Sequence, residues 1–239
     1  MAQIRAVLFD FGGTLIDYTT LAAGERESLI ELARRAGIDA TPQVILRTYR
    51  ATLKRVFYDY LPRPYYLHRD LFREVLLAMA RDLGGALTED QLAQYWARQR
   101  ERRARDFALR DGVCETLTAL RSRGLHLGVV SNADQEQLDH FVELGQLGRY
   151  FDSLLCSEEA GSCKPDLAIF QEALRRAACP PEEALFVGDS LQQDIAGAGR
   201  VGLRSVLIWD RADRDPPADG PRPHHVIRRI PELLDIVPA

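Results

Sequence analysis

Four short stretches of this 239-residue chain carry side chains able to do chemistry: Val7-Leu8-Phe9-Asp10-Phe11-Gly12-Gly13-Thr14-Leu15, Ser131-Asn132, Lys164-Pro165, and Gly188-Asp189-Ser190 with Asp194. In the first, an apolar run stops at a carboxylate and two glycines follow. That pattern predicts a buried strand whose last residue, Asp10, aims a carboxylate out of the sheet edge. The glycines let the backbone turn sharply and approach a ligand. In an open α/β sheet, ligands sit outside the carboxyl ends of strands. If Asp189 ends a neighbouring strand, it meets Asp10 there. Two carboxylates that close repel each other unless a cation lies between them. Mg²⁺ takes hard oxygen ligands, commonly one or two carboxylates with substrate phosphate and water. Lys164 supplies a point charge for phosphate oxygens and for Asp10. The Ser131 hydroxyl, the turn amides and helix N-termini can hold the remaining oxygens.

The elements that must position these residues fall into two patterns. Residues 4–10 read as a strand. From about Asp17 to Arg110, helical spacing replaces strand-like runs. Leu29, Leu32, Ala33 and Ala36 share a face stopped by Gly37. Thr41-Pro42 caps a second helix, which Leu61-Pro62-Arg63-Pro64 breaks. Phe72, Val75, Leu76 and Met79 mark a third, and Thr88 with Gln91 forms a capping box for a fourth. After Asp111-Gly112, helices alternate with strands at 125–130, 154–156, 184–187 and 205–209. Residues 211–224 read as a loop, and 230–237 as a closing short helix. Alternation of this kind predicts a doubly wound α/β core with a parallel sheet and right-handed crossovers. The expected division is a core of residues 1–17 and 108–239 and an all-helical insert of residues 18–107.

These motifs, in this order, resemble the haloacid dehalogenase-like hydrolase superfamily over nearly the whole chain. The helical insert looks like that family's small cap. The resemblance implies a Rossmann-like core and a mechanism in which Asp10 attacks phosphorus and forms an aspartyl-phosphate that water then hydrolyses. It implies that Mg²⁺ is held by Asp10, Asp189 and the Gly12 carbonyl. Phosphate would be held by Gly13, Ser131, Asn132 and Lys164. Thr14 and Asp194 would stand just behind, with Asp194 orienting Lys164 or a metal-bound water. The expected substrate is a small phosphorylated metabolite, selected by the cap as it closes and excludes water.

One position departs from the family pattern. Most of its phosphatases carry a second aspartate two residues after the nucleophile, to protonate the leaving group and then deprotonate water. Here that position is Gly12. General acid–base help contributes about 10²–10⁴-fold, so the loss matters. Three readings stay open. The first is a phosphatase whose substrate has a good leaving group, or whose cap supplies the acid, from Asp59, Tyr65, Tyr66 or His68. The second is a hydrolase like the 2-haloacid dehalogenases, which use no metal; the Gly188-Asp189-Ser190 triplet speaks against it. The third is a binding protein that has kept the fold.

Bulk properties exclude several classes. Net charge is −4, against a general nucleic-acid binder. No apolar run approaches the roughly 20 residues needed to span a bilayer. Cys114, Cys156, Cys163 and Cys179 form no CxxC pair, which fits reduced thiols in the cytoplasm. Monomer and homodimer both remain open. The run Arg98–Arg105 reads as a solvated helix face laced with pairs four residues apart. His126, His140 and His224-His225 read as packing or surface residues rather than metal ligands.

Overall fold

The computed structural model describes residues 3–210, 215–217 and 219–237. In chain order the strands and α-helices are β1 (Ala6–Phe9), α1 (Tyr18–Arg35), α2 (Pro42–Tyr60), α3 (His68–Asp82), α4 (Glu89–Asp106), α5 (Val113–Ser122), β2 (His126–Ser131), α6 (Gln135–Leu144), β3 (Ser153–Cys156), α7 (Ser157–Ala160), α8 (Leu167–Ala177), β4 (Ala184–Gly188), α9 (Ala196–Arg200), β5 (Arg204–Ile208), β6 (His225–Ile227) and α10 (Leu233–Ile236). The chain divides into two compact units, Met1–Asp17 with Ala108–Ala239, and Tyr18–Phe107.

The first unit is built on one parallel sheet of order β3-β2-β1-β4-β5-β6. All four residues of β1 are fully buried. A parallel strand covered on both faces must read as an unbroken apolar run, and Ala6-Val7-Leu8-Phe9 does. Ile169, Phe170 and Ala173 of α8 pack with Leu8 and Phe186, and the Phe170 and Phe186 rings meet edge-on at 5.1 Å. The doubly wound parallel core expected from the alternation is the core observed. It has one strand more than the sequence revealed. β6 pairs with β5 through Val206–His225, Leu207–Val226 and Ile208–Ile227. Three residues are too few for a strand pattern to stand out beside proline-rich sequence. Within the expected loop at 211–224, residues 211–214 and 218 lie outside the described residues.

The second unit is all helical, with α1 packed on α4 and α2 on α3. Local capping explains its boundaries. The Thr41 hydroxyl accepts from the Val44 amide ahead of α2. The Thr88–Gln91 capping box forms in full, and the Gln91 side chain also donates to the Arg35 carbonyl at the end of α1. The basic run behaves differently from the expected ladder along one helix. Arg98 pairs with Glu31 of α1, and Arg102 donates to Ser28 Oγ at 2.6 Å and to the Gly24 carbonyl at 3.1 Å. These arginines tie α4 to α1, because the two helices lie side by side and a cross-helix carboxylate is as near as one four residues away. No described helix is long and apolar enough to cross a membrane.

Candidate active site

Asp10 follows β1 directly, and its amide donates to the Val187 carbonyl at 2.8 Å. The β1–β4 ladder therefore runs one residue past the strand and fixes the Asp10 backbone. Asp189 is the residue that directly follows β4. Strand order runs outward from β1 to β3 on one side and from β4 to β6 on the other, so the two aspartates flank the point of reversal. Carboxylate oxygens of Asp10, Asp189 and Asp194 all lie within 4.8 Å of one another.

Lys164 is 2% exposed, and its ammonium donates to Asp10 Oδ1 at 2.6 Å and to Asp194 Oδ1 at 2.7 Å. Its loop is held by Asn132, whose Oδ1 accepts from the Lys164 amide at 2.7 Å and whose Nδ2 donates to the Lys164 carbonyl at 2.9 Å. The Asn132 side chain is thus spent largely on Lys164, leaving one amide N–H for an anion. Ser131, the last residue of β2, is buried in register with Cys156. The Thr14 hydroxyl donates to Asp10 Oδ2 at 3.0 Å.

Asp194 owes its place to a feature that no sequence pattern announces. Residues Leu191–Ile195 form a π-helical turn between β4 and α9. The turn swings Asp194 back so that its Oδ2 accepts from the Ser190 amide at 2.9 Å while Oδ1 reaches Lys164. Gly188 makes room for it: a Cβ there would stand 2.4 Å from the Asp194 carboxyl carbon.

Burial pushes the Asp10 carboxyl up to about 6, despite the opposing pull of Lys164 and the Thr14 hydrogen bond. Asp189 is open to solvent on one side. Protein packed around it, with the charges of Asp10 and Asp194, still pushes it up to about 8. Burial works against the Lys164 charge, but Asp10 and Asp194 outweigh it and hold the amine above the usual lysine range. Asp189 forms no ion pair among the described residues. Three converging carboxylates with one shared ammonium leave negative charge uncompensated, which is the donor set a hard divalent cation fits.

The Gly12-Gly13 turn closes this face. Gly13 has φ +82°, and a Cβ there would lie 2.3 Å from Asp189 Oδ2, so only glycine lets the backbone pass this close. The Gly13 carbonyl accepts from Arg110 Nε at 2.8 Å. Sequence reasoning missed Arg110, a single basic residue outside any motif. The acid candidates of the insert divide between surroundings. Tyr66 meets the Tyr60 ring edge-on and lies against the tilted His68 ring in an aromatic cluster, whereas Asp59 and Tyr65 face solvent. Cys163 is buried.

The family described as haloacid dehalogenase-like hydrolase matches residues 4–202. The glyceraldehyde 3-phosphate phosphatase of Methanopyrus kandleri is 33% identical over 240 residues, spanning 98% of this chain and 97% of that protein. The ribulose-1,5-bisphosphate 5-phosphatase of Halopiger xanaduensis is 31% identical, spanning 97% of this chain and 98% of that protein. Among solved structures, a HAD phosphatase from Thermococcus onnurineus superimposes with a TM-score of 0.70 at 25% identity, over 98% of each chain. With the family pattern matched from β1 past α9, and full-length relatives above 30% identity, this chain belongs to the haloacid dehalogenase-like hydrolases.

Proposed function

We propose that this protein is a Mg²⁺-dependent phosphatase acting on a small phosphorylated metabolite through an aspartyl-phosphate at Asp10. The observation that carries the reading is the convergence of Asp10 and Asp189 at the switch point, with Lys164 bonded to Asp10. The names of the two full-length relatives support a phosphate ester as substrate. Four free cysteines support a cytoplasmic setting. The helical unit takes the part of a cap that selects the substrate.

Asp10 acts as nucleophile: a carboxylate oxygen bonds to phosphorus as the bond to the leaving oxygen breaks, and water later attacks phosphorus to release phosphate and free Asp10. Lys164 stays charged and neutralises the phosphoryl oxygens through both steps, while Asp194 and Asn132 hold it in place. Ser131 and the remaining Asn132 N–H hold a further phosphoryl oxygen. Asp10, Asp189 and the Gly12 carbonyl would hold Mg²⁺, which adds positive charge beside the transferred group. Thr14 fixes the Asp10 carboxylate by its hydrogen bond.

Gly12 offers no proton, so the leaving group must depart largely unaided. Turnover will therefore fall steeply from p-nitrophenyl phosphate to alkyl phosphates. The Gly12→Asp variant will raise alkyl phosphate turnover by about 10²-fold and change p-nitrophenyl phosphate turnover far less. An unchanged ratio between the two substrates would show that another group already supplies the proton.

A pH dependence follows from the raised carboxylates. The folded, metal-free chain binds these protons more tightly than the unfolded chain does. Their stabilisation is therefore complete at acid pH, below the ordinary carboxylate range. It is lost as pH rises through about 6 for Asp10 and about 8 for Asp189. A cation must displace the same protons. Mg²⁺ affinity measured calorimetrically will rise with pH and level off above about 8. An affinity flat from acid to alkaline pH would separate Asp189 from the metal.

The test of function is phosphate release from a panel of phosphate esters with and without Mg²⁺. Metal-dependent release upholds the reading. Metal-independent halide release from a 2-haloacid, or no turnover of any ester, overturns it.

A further inference from the structure

We infer that Arg110, braced by Asp210, is a positioning residue that holds the Gly12-Gly13 turn in the shape the metal-binding face requires. The inference rests on the divalent-cation reading of that face. Arg110 lies on the segment where the chain re-enters the first unit, and that segment is paired with the nucleophile loop. The Asp17 amide donates to the Ala108 carbonyl at 3.0 Å, Ile16 bridges Leu109 antiparallel, and the Arg110 amide donates to the Leu15 carbonyl at 2.9 Å. With its backbone fixed to Leu15, the side chain reaches back and donates from Nε to the Gly13 carbonyl. Its Nη1 pairs with Asp210 Oδ2 at 2.9 Å, two residues beyond β5. The Arg110 side chain is only 20% exposed, so the guanidinium is packed between these two anchors.

The turn needs such a brace. Gly12 and Gly13 have no side chains to pack, and glycine is the residue with the most conformational freedom to lose. Gly13 sits at φ +82° with its backbone against the Asp189 carboxylate. A rotation of the Gly12-Gly13 peptides would move both the Gly12 carbonyl and the wall against which Asp189 rests. A planar guanidinium with donors at fixed angles can hold a carbonyl and a carboxylate at once. Groups that orient a metal's ligands without touching the metal typically change affinity by about 10–100-fold when removed.

The experiment compares the parent chain with Arg110→Met, Arg110→Lys and Asp210→Asn. It reads Mg²⁺ binding by calorimetry and hydrogen exchange at the Leu15 and Ile16 amides, both of which bond the Phe11 carbonyl inside the loop. In Arg110→Met the Mg²⁺ dissociation constant rises about tenfold and the two amides exchange faster. Thermal unfolding of the metal-free protein moves little. Arg110→Lys, with its single ammonium, recovers part of both effects, and Asp210→Asn shows a smaller version of each. Unchanged affinity in Arg110→Met overturns the inference. So does weakened affinity with unchanged exchange, which would leave only a long-range charge effect. If the parent itself binds no Mg²⁺, the phosphatase reading fails separately. Faster exchange in Arg110→Met then still upholds the brace, and unchanged exchange removes it as well.

Discussion

Asp10→Asn will fold like the parent and lose phosphate-ester turnover by about 10⁴-fold or more. The amide is nearly the same size and can still accept the Thr14 hydrogen bond. Lys164 keeps Asp194 as a partner, so the substitution leaves the ammonium paired. What disappears is the oxygen that bonds to phosphorus, and an amide oxygen is too poor a nucleophile to replace it. Removing a covalent nucleophile costs far more than removing a binding contact, because the remaining groups act only through it. Steady-state turnover beside circular dichroism and thermal unfolding makes the comparison. Asp10→Glu separates nucleophile from mere charge: it keeps the carboxylate, displaces it by one methylene and will also be inactive. A rate within tenfold of the parent in either variant would show that Asp10 is not the attacking group.

Lys164→Met will cost both activity and stability. Asp10 and Asp194 are 7% and 1% exposed, and the ammonium bonded to both is the positive charge between them. Removing one partner from a buried ionic cluster typically costs about 3–5 kcal/mol, since the stranded charges are left without compensation. Urea unfolding of the metal-free variant near neutral pH measures it. The deficit will shrink as pH falls, because protonating Asp10 removes part of the charge that Lys164 no longer balances. Turnover with saturating Mg²⁺ will drop by about 10²–10³-fold, as for loss of one preorganised donor to a transition-state oxyanion. A loss under about 1 kcal/mol, equal at acid and neutral pH, would mean the two carboxylates do not depend on Lys164.

Sequence carried the strands of the site well and the connections poorly. β1 was legible because a strand buried on both faces has no choice but an apolar run, and the carboxylate ending it had to lie at the sheet's edge. The helices of residues 18–106 were legible through capping chemistry at Thr41-Pro42 and Thr88–Gln91, where local hydrogen bonding decides the start. Alternation of elements does not fix strand order, so the meeting of Asp189 with Asp10 was legible only as a condition; the structure places β4 beside β1 and meets it. The π turn that swings Asp194 onto Lys164 left no trace, since one residue of helical slippage is set by tertiary packing. Asn132 was expected to face phosphate. Its side chain holds the Lys164 backbone across 32 residues of sequence, and no spacing rule could reveal that pairing. Arg110 was invisible for the same reason: its partners are Gly13 and Asp210, brought to it by the sheet.

The most direct test of the central claim is a crystal structure grown with Mg²⁺ and beryllium fluoride, a stand-in for a phosphoryl group on a carboxylate. The account predicts beryllium bonded to Asp10 and one cation bound by both Asp10 and Asp189, with Lys164 beside the fluorides. A cation held away from Asp10, or a fluoride group resting on any other side chain, would contradict it.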